Sequence, residues 1–411
     1  MTFFLLYIDP GTGSALFSIL IGMATALYFL GRALLIKLKI IISGGKINTG
    51  SEQRNPFIIY NEGKQYSDVF RPVLEEFENR KINVLFLTSS EDDPLLENNY
   101  HYVKKEYIGQ GNKAFSRLNV LNANIVLMTT PGLDVYQLKR SRNVDHYSHL
   151  LHMPSDATMY RLYGLDYFDS VLLSGTYQAK DIKVLEEQRG ISPKQLVTVG
   201  CTYLDVFREI LKNNPKEVNH KYTILVSPSW GPSSLLSRFG EKLLDELVKT
   251  NFQIIVRPHP QSKKSENTML KNLEERYKNF THLEWDYARE NIYTLSKTDI
   301  MISDYSGIIY DFIFLFNKPV LYINQGIDIR PYDADDLGEN AINELWQFKT
   351  LKEIGIELKE EDFPHLSEII ENVSGSVDLK NARNKAREDA WQYQGEAGKR
   401  TVDFLLRIYP K

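Results

Sequence analysis

Two stretches decide the fold: FQIIVRPHP, Phe252 to Pro260, and DIMISDYSGIIYDFIFLF, Asp299 to Phe316. Phe252 to Val256 and Asp299 to Ser303 read as short buried strands, and Gly307 to Phe316 reads as a helix. Each polar turn therefore lies just past a strand. Open α/β sheets bind ligands there, where loops and helix N-termini converge. The first turn, Arg257-Pro258-His259-Pro260, offers a guanidinium and an imidazole. Its two prolines hold it extended, so that both groups can point the same way. The second, Ser303-Asp304-Tyr305-Ser306-Gly307, offers hydroxyls and free N–H groups at a helix start. Together they suit a diphosphate, and hence a nucleotide-type donor.

Working outward, strands and helices alternate along most of the chain. Pro56–Tyr60, Asn83–Leu87, Asn124–Thr129, Ser170–Ser174 and Leu196–Gly200 read as strands, with helices such as Ser67–Asn79 and Gln178–Arg189 between them. The polar run Asn213–Lys221 breaks the pattern. It resumes with Tyr222–Ser227, the helix Leu235–Thr250 and the strand Pro319–Asn324. Such alternation implies parallel sheets with helices on both faces. The expected architecture is α/β, with two facing Rossmann-like domains and a cleft. The organisation reads as an anchor over 1–45, an acceptor-side domain over 46–212, a nucleotide-binding domain over 213–375 and a C-terminal helix over 376–411.

The chain has 411 residues, 43% apolar and 12% aromatic, with 49 basic against 53 acidic side chains and a net charge of −4. That balance argues against a nucleic-acid binder. Cys201 is the only cysteine, so an internal disulfide and a cysteine zinc cluster are both excluded. From Ala15 to Leu35 the chain reads ALFSILIGMATALYFLGRALL, about long enough to cross a bilayer. Arg32, Lys37, Lys39, Lys46 and Arg54 follow it and only Asp9 precedes it. The expectation is a single-pass cell-membrane protein with its catalytic part in the cytoplasm.

No phosphate loop of the G-x-x-x-x-G-K-[ST] or G-x-G-x-x-G kind is present, and the acid clusters read as solvated loops. No metal site and no cofactor are expected. Asp304 and Asp311 lie seven apart. If both are helical they share a face, and Asp311 could take a ribose hydroxyl; otherwise Ser303 or Asp304 is a helix cap. Ser227 and Ser229, just past the strand Thr223–Val226, could line the cleft. His146, His149 and His152 crowd the stretch DHYSHLLHMPSD. A strand there, running from Tyr147 toward Met153, splays them rather than building a metal face. A histidine at such a strand end is a candidate general base, and for His149 a buried structural role is an equal alternative.

The ordered set of the His152 segment, GTYQAKDI (Gly175–Ile182), GCTYLD (Gly200–Asp205), ILVSPSW (Ile224–Trp230), VRPHP and ISDYSGIIYDFIFLFNKPVLYI (Ile302–Ile323) resembles the CDP-glycerol glycerophosphotransferase family, the teichoic-acid primases and polymerases. The resemblance implies a GT-B-like fold. It implies that His152 deprotonates the acceptor hydroxyl, that His259 and Arg257 bind phosphate and stabilise charge, and that Ser303 to Ser306 with Asp311 bind CDP. It further implies a CDP-glycerol or similar CDP-alditol donor and a lipid-linked glycan acceptor. Two departures stand out: HMPSDATMY replaces the HGT-type acceptor loop of the wall polymerases, and Gly307 stands where a second serine is usual. The alternatives are a nucleotide-sugar glycosyltransferase of the same fold and a non-catalytic envelope scaffold.

Overall fold

The computed structural model describes residues 54–213, 221–288, 290–324 and 326–410, with a few positions between 21 and 31. It divides into two compact units, Met1–Arg54 and Asn55–Lys411. In the first, Ile21, Met23, Leu27, Tyr28 and Leu30 are helical and exposed. The rest of the expected anchor, the turn at residues 9–13 and most of the linker over 46–55 lie outside the described residues. No helix among the described residues is long and apolar enough to cross a membrane.

The second unit holds two wholly parallel sheets. The first contains β1 (Asn55–Asn61), β2 (Val84–Thr88), β3 (Val103–Tyr107), β4 (Asn122–Met128), β5 (Asn143–Leu150), β6 (Ser170–Leu173) and β7 (Gln195–Thr198), in the order β3-β2-β1-β4-β5-β6-β7. The second contains β8 (Thr223–Val226), β9 (Gln253–Val256), β10 (Leu283–Trp285), β11 (Ile300–Ser303), β12 (Val320–Ile323) and β13 (Ile356–Leu358), in the order β10-β9-β8-β11-β12-β13. Both follow the doubly wound Rossmann order, with the reversal between β1 and β4 and again between β8 and β11. Side chains alternate between two cores. Ile58, Tyr60, Leu85 and Leu87 face one, and Phe57, Ile59, Val84 and Phe86 face the other.

Strands β3, β10 and β13 were not legible as apolar runs. All three are sheet edges, and VKKEY, LEW and IEL carry the charges and short lengths that edges tolerate. Strand β5 starts at Asn143 and stops at Leu150, so His152 sits in the loop beyond it. The helix expected from Gly307 begins at Ile308, so Asp304 is not helical and shares no helical face with Asp311. In place of one C-terminal helix there are two, Val377–Ala390 and Ala397–Ile408.

The segment between those two helices crosses back to the first sheet. Asp205 receives it, accepting from Trp391 Nε1 at 2.9 Å, Gly395 N at 2.6 Å and Ala397 N at 3.1 Å. Gly200, at φ +102°, lies so close to the crossing that a Cβ would stand 2.6 Å from the Gln392 carbonyl oxygen. The last helix then packs on Ser67–Asn79, burying Val402, Phe404 and Leu405 against Phe70 and Val73.

Loops from the carboxyl edges of the two sheets also meet. Asp156, past β5, accepts from the N–H groups of Trp346 (3.1 Å) and Gln347 (2.7 Å), capping the helix Trp346–Ile354 from the other lobe. Asp333 accepts from Tyr163 N at 2.6 Å and Gly164 N at 3.1 Å, and pairs with Arg189 at 2.7 Å. The carboxyl edges therefore face each other across the His152 loop.

Candidate functional site

On the first sheet, β4 ends at Met128, and Thr129 follows it. The Thr129 hydroxyl donates to the Leu150 carbonyl at 2.7 Å, closing the end of β5, and its oxygen lies 2.8 Å from His152 Nδ1. Tyr160 Oη lies 3.2 Å from the same nitrogen and 3.1 Å from His149 Nε2. The His152 ring packs on Tyr66, centroids 4.6 Å apart. Burial pushes the His152 imidazole down to about 4, so the ring is neutral at working pH. His149 is fully buried, and burial pushes its imidazole well below its ordinary value too. The loop beyond is held by Gln178, whose amide nitrogen donates to Ser155 O at 2.7 Å and whose oxygen accepts from Ser174 N at 2.9 Å. The His146 Nε2 is occupied by Ser170 Oγ at 2.9 Å, and among the described residues no group of acids, histidines and cysteine gathers as a metal site.

On the second sheet the motif residues divide into two sets. Asp304 is buried and accepts from Ser229 N (2.8 Å), Ser229 Oγ (2.8 Å) and Leu235 N (3.0 Å), which fixes the loop after β8 and the start of the helix Leu235–Leu247. Ser303 donates to the Ser227 carbonyl at 2.6 Å, and Ser227 Oγ lies 3.4 Å from the Arg257 carbonyl. Arg257 is buried. Its guanidinium pairs with Asp286 and donates to the Ala288 carbonyl at 2.7 Å, which engages it with the segment after β10. Asp311 accepts from the Tyr203 hydroxyl of the preceding lobe, and burial raises its carboxyl to about 7. These groups tie loops together.

The second set is open to a ligand. His259 is half-buried. Its Nδ1 accepts from Gln261 N–H at 3.1 Å, which leaves the ring proton on Nε2 as a donor. Burial pushes the imidazole below its ordinary range, with the Glu266 and Asp304 carboxylates pulling the other way. The half-exposed indole of Trp230 lies 6.3 Å away, centroid to centroid. Gly307 caps the helix Ile308–Phe316 and is exposed, and a Cβ built on it meets no atom within 4 Å. The space before Gly307 is thus open, and while the N–H groups of Ile309 and Tyr310 bond back to Ser306 O (3.2 Å) and Gly307 O (3.1 Å), a helix start of this kind suits an anion.

Sequence reasoning missed Tyr66, Thr129 and Tyr160 around His152, and Asp286 and Glu266 around the Arg257–His259 turn. None carries a periodic or motif signal. Thr129 was legible only as the last residue of a strand.

Two parallel sheets of Rossmann order with meeting carboxyl edges make a GT-B-like fold. Residues 169–338 match the family of the CDP-Glycerol:Poly(glycerophosphate) glycerophosphotransferases. Over this segment, less than half of the chain, it is similar to that family, and the likeness supports a glycerophosphotransferase-like enzyme. Among solved structures it is similar to the wall teichoic acid polymerase TagF, at 15% identity over 92% of this chain and 96% of that one, with a TM-score of 0.55. A variant of TagF soaked with CDPG gives 0.57 at the same identity and the same coverage. The UDP-GlcNAc 2-epimerase of Methanocaldococcus jannaschii is similar at 13% identity over 86% of this chain and 99% of that one, with a TM-score of 0.53. At these identities the likeness shows the fold. No match to the chain is found among curated protein sequences.

Proposed function

We propose that the enzyme transfers glycerol phosphate, or a related alditol phosphate, from CDP-glycerol to a hydroxyl of a lipid-linked envelope glycan. The observation that supports this most is the open helix start at Ser306 and Gly307 with the donor nitrogen of His259 on the turn after β9, at the same edge of the sheet with β8 between, inside the segment that matches the family. In this reading His152 Nε2 takes the proton of the acceptor hydroxyl. The freed oxygen bonds to the β-phosphorus as the bond to the bridging oxygen breaks, and CMP leaves with that oxygen and its charge. His259 Nε2–H and the N–H groups at Gly307 and Ile308 hold the diphosphate oxygens. Such a transfer depends on positioning and charge compensation rather than on covalent catalysis. Arg257, Ser227, Ser229, Ser303, Asp304 and Asp311 hold those groups in place.

The apolar run Ala15–Leu35 supports membrane attachment, as do the exposed side chains of Ile21, Met23, Leu27, Tyr28 and Leu30. An anchor would keep the enzyme beside an insoluble acceptor and raise the effective concentration of that acceptor. The test is CMP release from CDP-glycerol by the detergent-solubilised protein, with and without a lipid extract of its host. Lipid-dependent release supports the proposal. Release from a UDP-sugar instead moves the assignment to a glycosyltransferase, and no release from any nucleotide donor moves it to a scaffold.

A further inference from the structure

The contacts of the Thr129 hydroxyl fix where the proton of the His152 ring sits. Leu150 O and His152 Nδ1 both lie within hydrogen-bonding distance of the Thr129 hydroxyl, at 2.7 and 2.8 Å. A hydroxyl has one proton and a carbonyl has none, so Thr129 donates to Leu150 and its oxygen must accept from the imidazole. Nδ1 therefore carries the His152 proton. Were Nδ1 bare, its lone pair would face the lone pairs of Thr129 Oγ1 across 2.8 Å. Tyr160 fits the same order. Its oxygen is a second acceptor for Nδ1–H at 3.2 Å, and its proton goes to His149 Nε2 at 3.1 Å. Among the described residues the His149 Nδ1 atom has no partner, so the chain of bonds ends in the core. Among the described residues the titratable side chains against His152 are His149, Tyr160 and Tyr66, and no carboxylate touches the ring.

We propose that Thr129, with Tyr160 as second acceptor, is a positioning residue that fixes His152 in the Nδ1–H tautomer. Nε2 is then the nitrogen that receives the acceptor proton. The arrangement does with two neutral oxygens what a carboxylate does in a Ser-His-Asp triad, fixing both ring orientation and tautomer. It suits a ring whose burial disfavours charge, because no ionised partner has to be buried beside it. The Thr129 hydroxyl is pinned in turn by the last carbonyl of β5. The strand end thereby sets the tautomer, linking sheet register to the base. The effect on turnover rests on the reading of His152 as the base, whereas the tautomer itself does not.

The experiment is nitrogen-15 NMR of the full-length protein in detergent, labelled at histidine, with the His152 signals assigned by their loss in His152→Ala. Turnover of CDP-glycerol is measured beside it. The wild type is expected to show a protonated Nδ1 and a bare Nε2 at neutral pH. Thr129→Val, nearly isosteric but without an acceptor, should populate the Nε2–H form. Its kcat should fall about tenfold or more, a part of the 10²–10⁴-fold that a positioned base supplies, with KM for CDP-glycerol unchanged. Thr129→Ser should restore both signals and rate, which a loss of packing alone would not allow. Tyr160→Phe, which keeps the Thr129 acceptor, should keep the tautomer. A bare Nδ1 in the wild type overturns the proposal even if the valine variant does not fold, and so does an unshifted tautomer in folded Thr129→Val. Full turnover by His152→Ala instead overturns the reading of His152 as base, and the NMR result is unaffected by that outcome.

Discussion

The two sheets carry the same strand order, yet their carboxyl edges are built on opposite electrostatic plans. The pocket of His152 at the edge of the first sheet is neutral: among the described residues the ring is held by a threonine, two tyrosines and a second neutral histidine. The edge of the second is charged and internally paired, through Arg257 with Asp286 and Asp304 with three donors. A group that must accept a proton gains from a site where its charged form is not already favoured. A site that must hold a doubly charged ligand gains from backbone and imidazole donors whose own loops cannot move. The difference shows that motif residues of one turn need not act alike. The buried ones fix the loop, and in the proposed reading the half-exposed ones meet the ligand.

The histidines test that division most severely. His152→Ala and His259→Ala are each expected to lower turnover about 10²-fold or more, the usual scale for a lost base or charge-stabilising donor. The His259 variant should melt near the wild-type value, because that ring is half-exposed, whereas His152→Ala should melt lower, since it leaves a gap beside Tyr66 and unpaired oxygens on Thr129 and Tyr160. The measurement is steady-state CMP release beside a thermal melt. Near-wild-type turnover in a folded variant would remove that histidine from the mechanism and leave its edge of the cleft without an assigned group.

A smaller effect sharpens the contrast between fixed and open positions. Gly307→Ala adds a methyl that meets nothing in the protein, at a φ of −59° that any residue adopts. Stability should be unchanged or slightly higher, since alanine restricts the unfolded chain. The methyl would stand where the diphosphate is proposed to sit, so KM for CDP-glycerol should rise roughly tenfold, about 1.4 kcal/mol. An unaltered KM would place the diphosphate elsewhere.

Much of this was legible before any coordinates. The central strands were visible because buried parallel strands are nearly all apolar, as in FQIIV and DIMIS, and the turns after them marked the carboxyl edges. The edge strands were not, since VKKEY looks like a polar loop until a neighbour pairs with it. The division of the second edge was equally hidden. RPHP shows two cationic residues at spacing two and says nothing of Asp286, some thirty residues on, which claims one of them. The GCTYLD motif was readable only as a strand–turn–helix. In the folded chain it joins distant segments, since Gly200 admits the crossing chain, Asp205 caps it, and Tyr203 reaches Asp311 in the other lobe. Long-range pairs of this kind leave no trace in local periodicity.

That last pair gives the mildest test. The Asp311 carboxyl is raised to about 7 from an ordinary value of 3.8, because burial penalises its charged form more than the Tyr203 hydroxyl stabilises it. The folded chain therefore holds this proton where the unfolded chain has released it. The stability that results is fully present below about pH 4 and is lost as the pH rises toward 7. Asp311→Asn keeps an acceptor for Tyr203 and removes the charge. It should melt a few degrees higher than the wild type at pH 8 and converge with it near pH 4. Asp156, also raised to about 7 by burial, leaves part of the slope in place. Thermal melts of the full chain across that range check this, and turnover at pH 7 should change little, because Asp311 is assigned to the loop-fixing set. If the asparagine variant instead lost donor binding while keeping its melting temperature, Asp311 would belong with the ligand after all, and the division between buried scaffold and half-exposed contacts would have to be redrawn at the helix Ile308–Phe316.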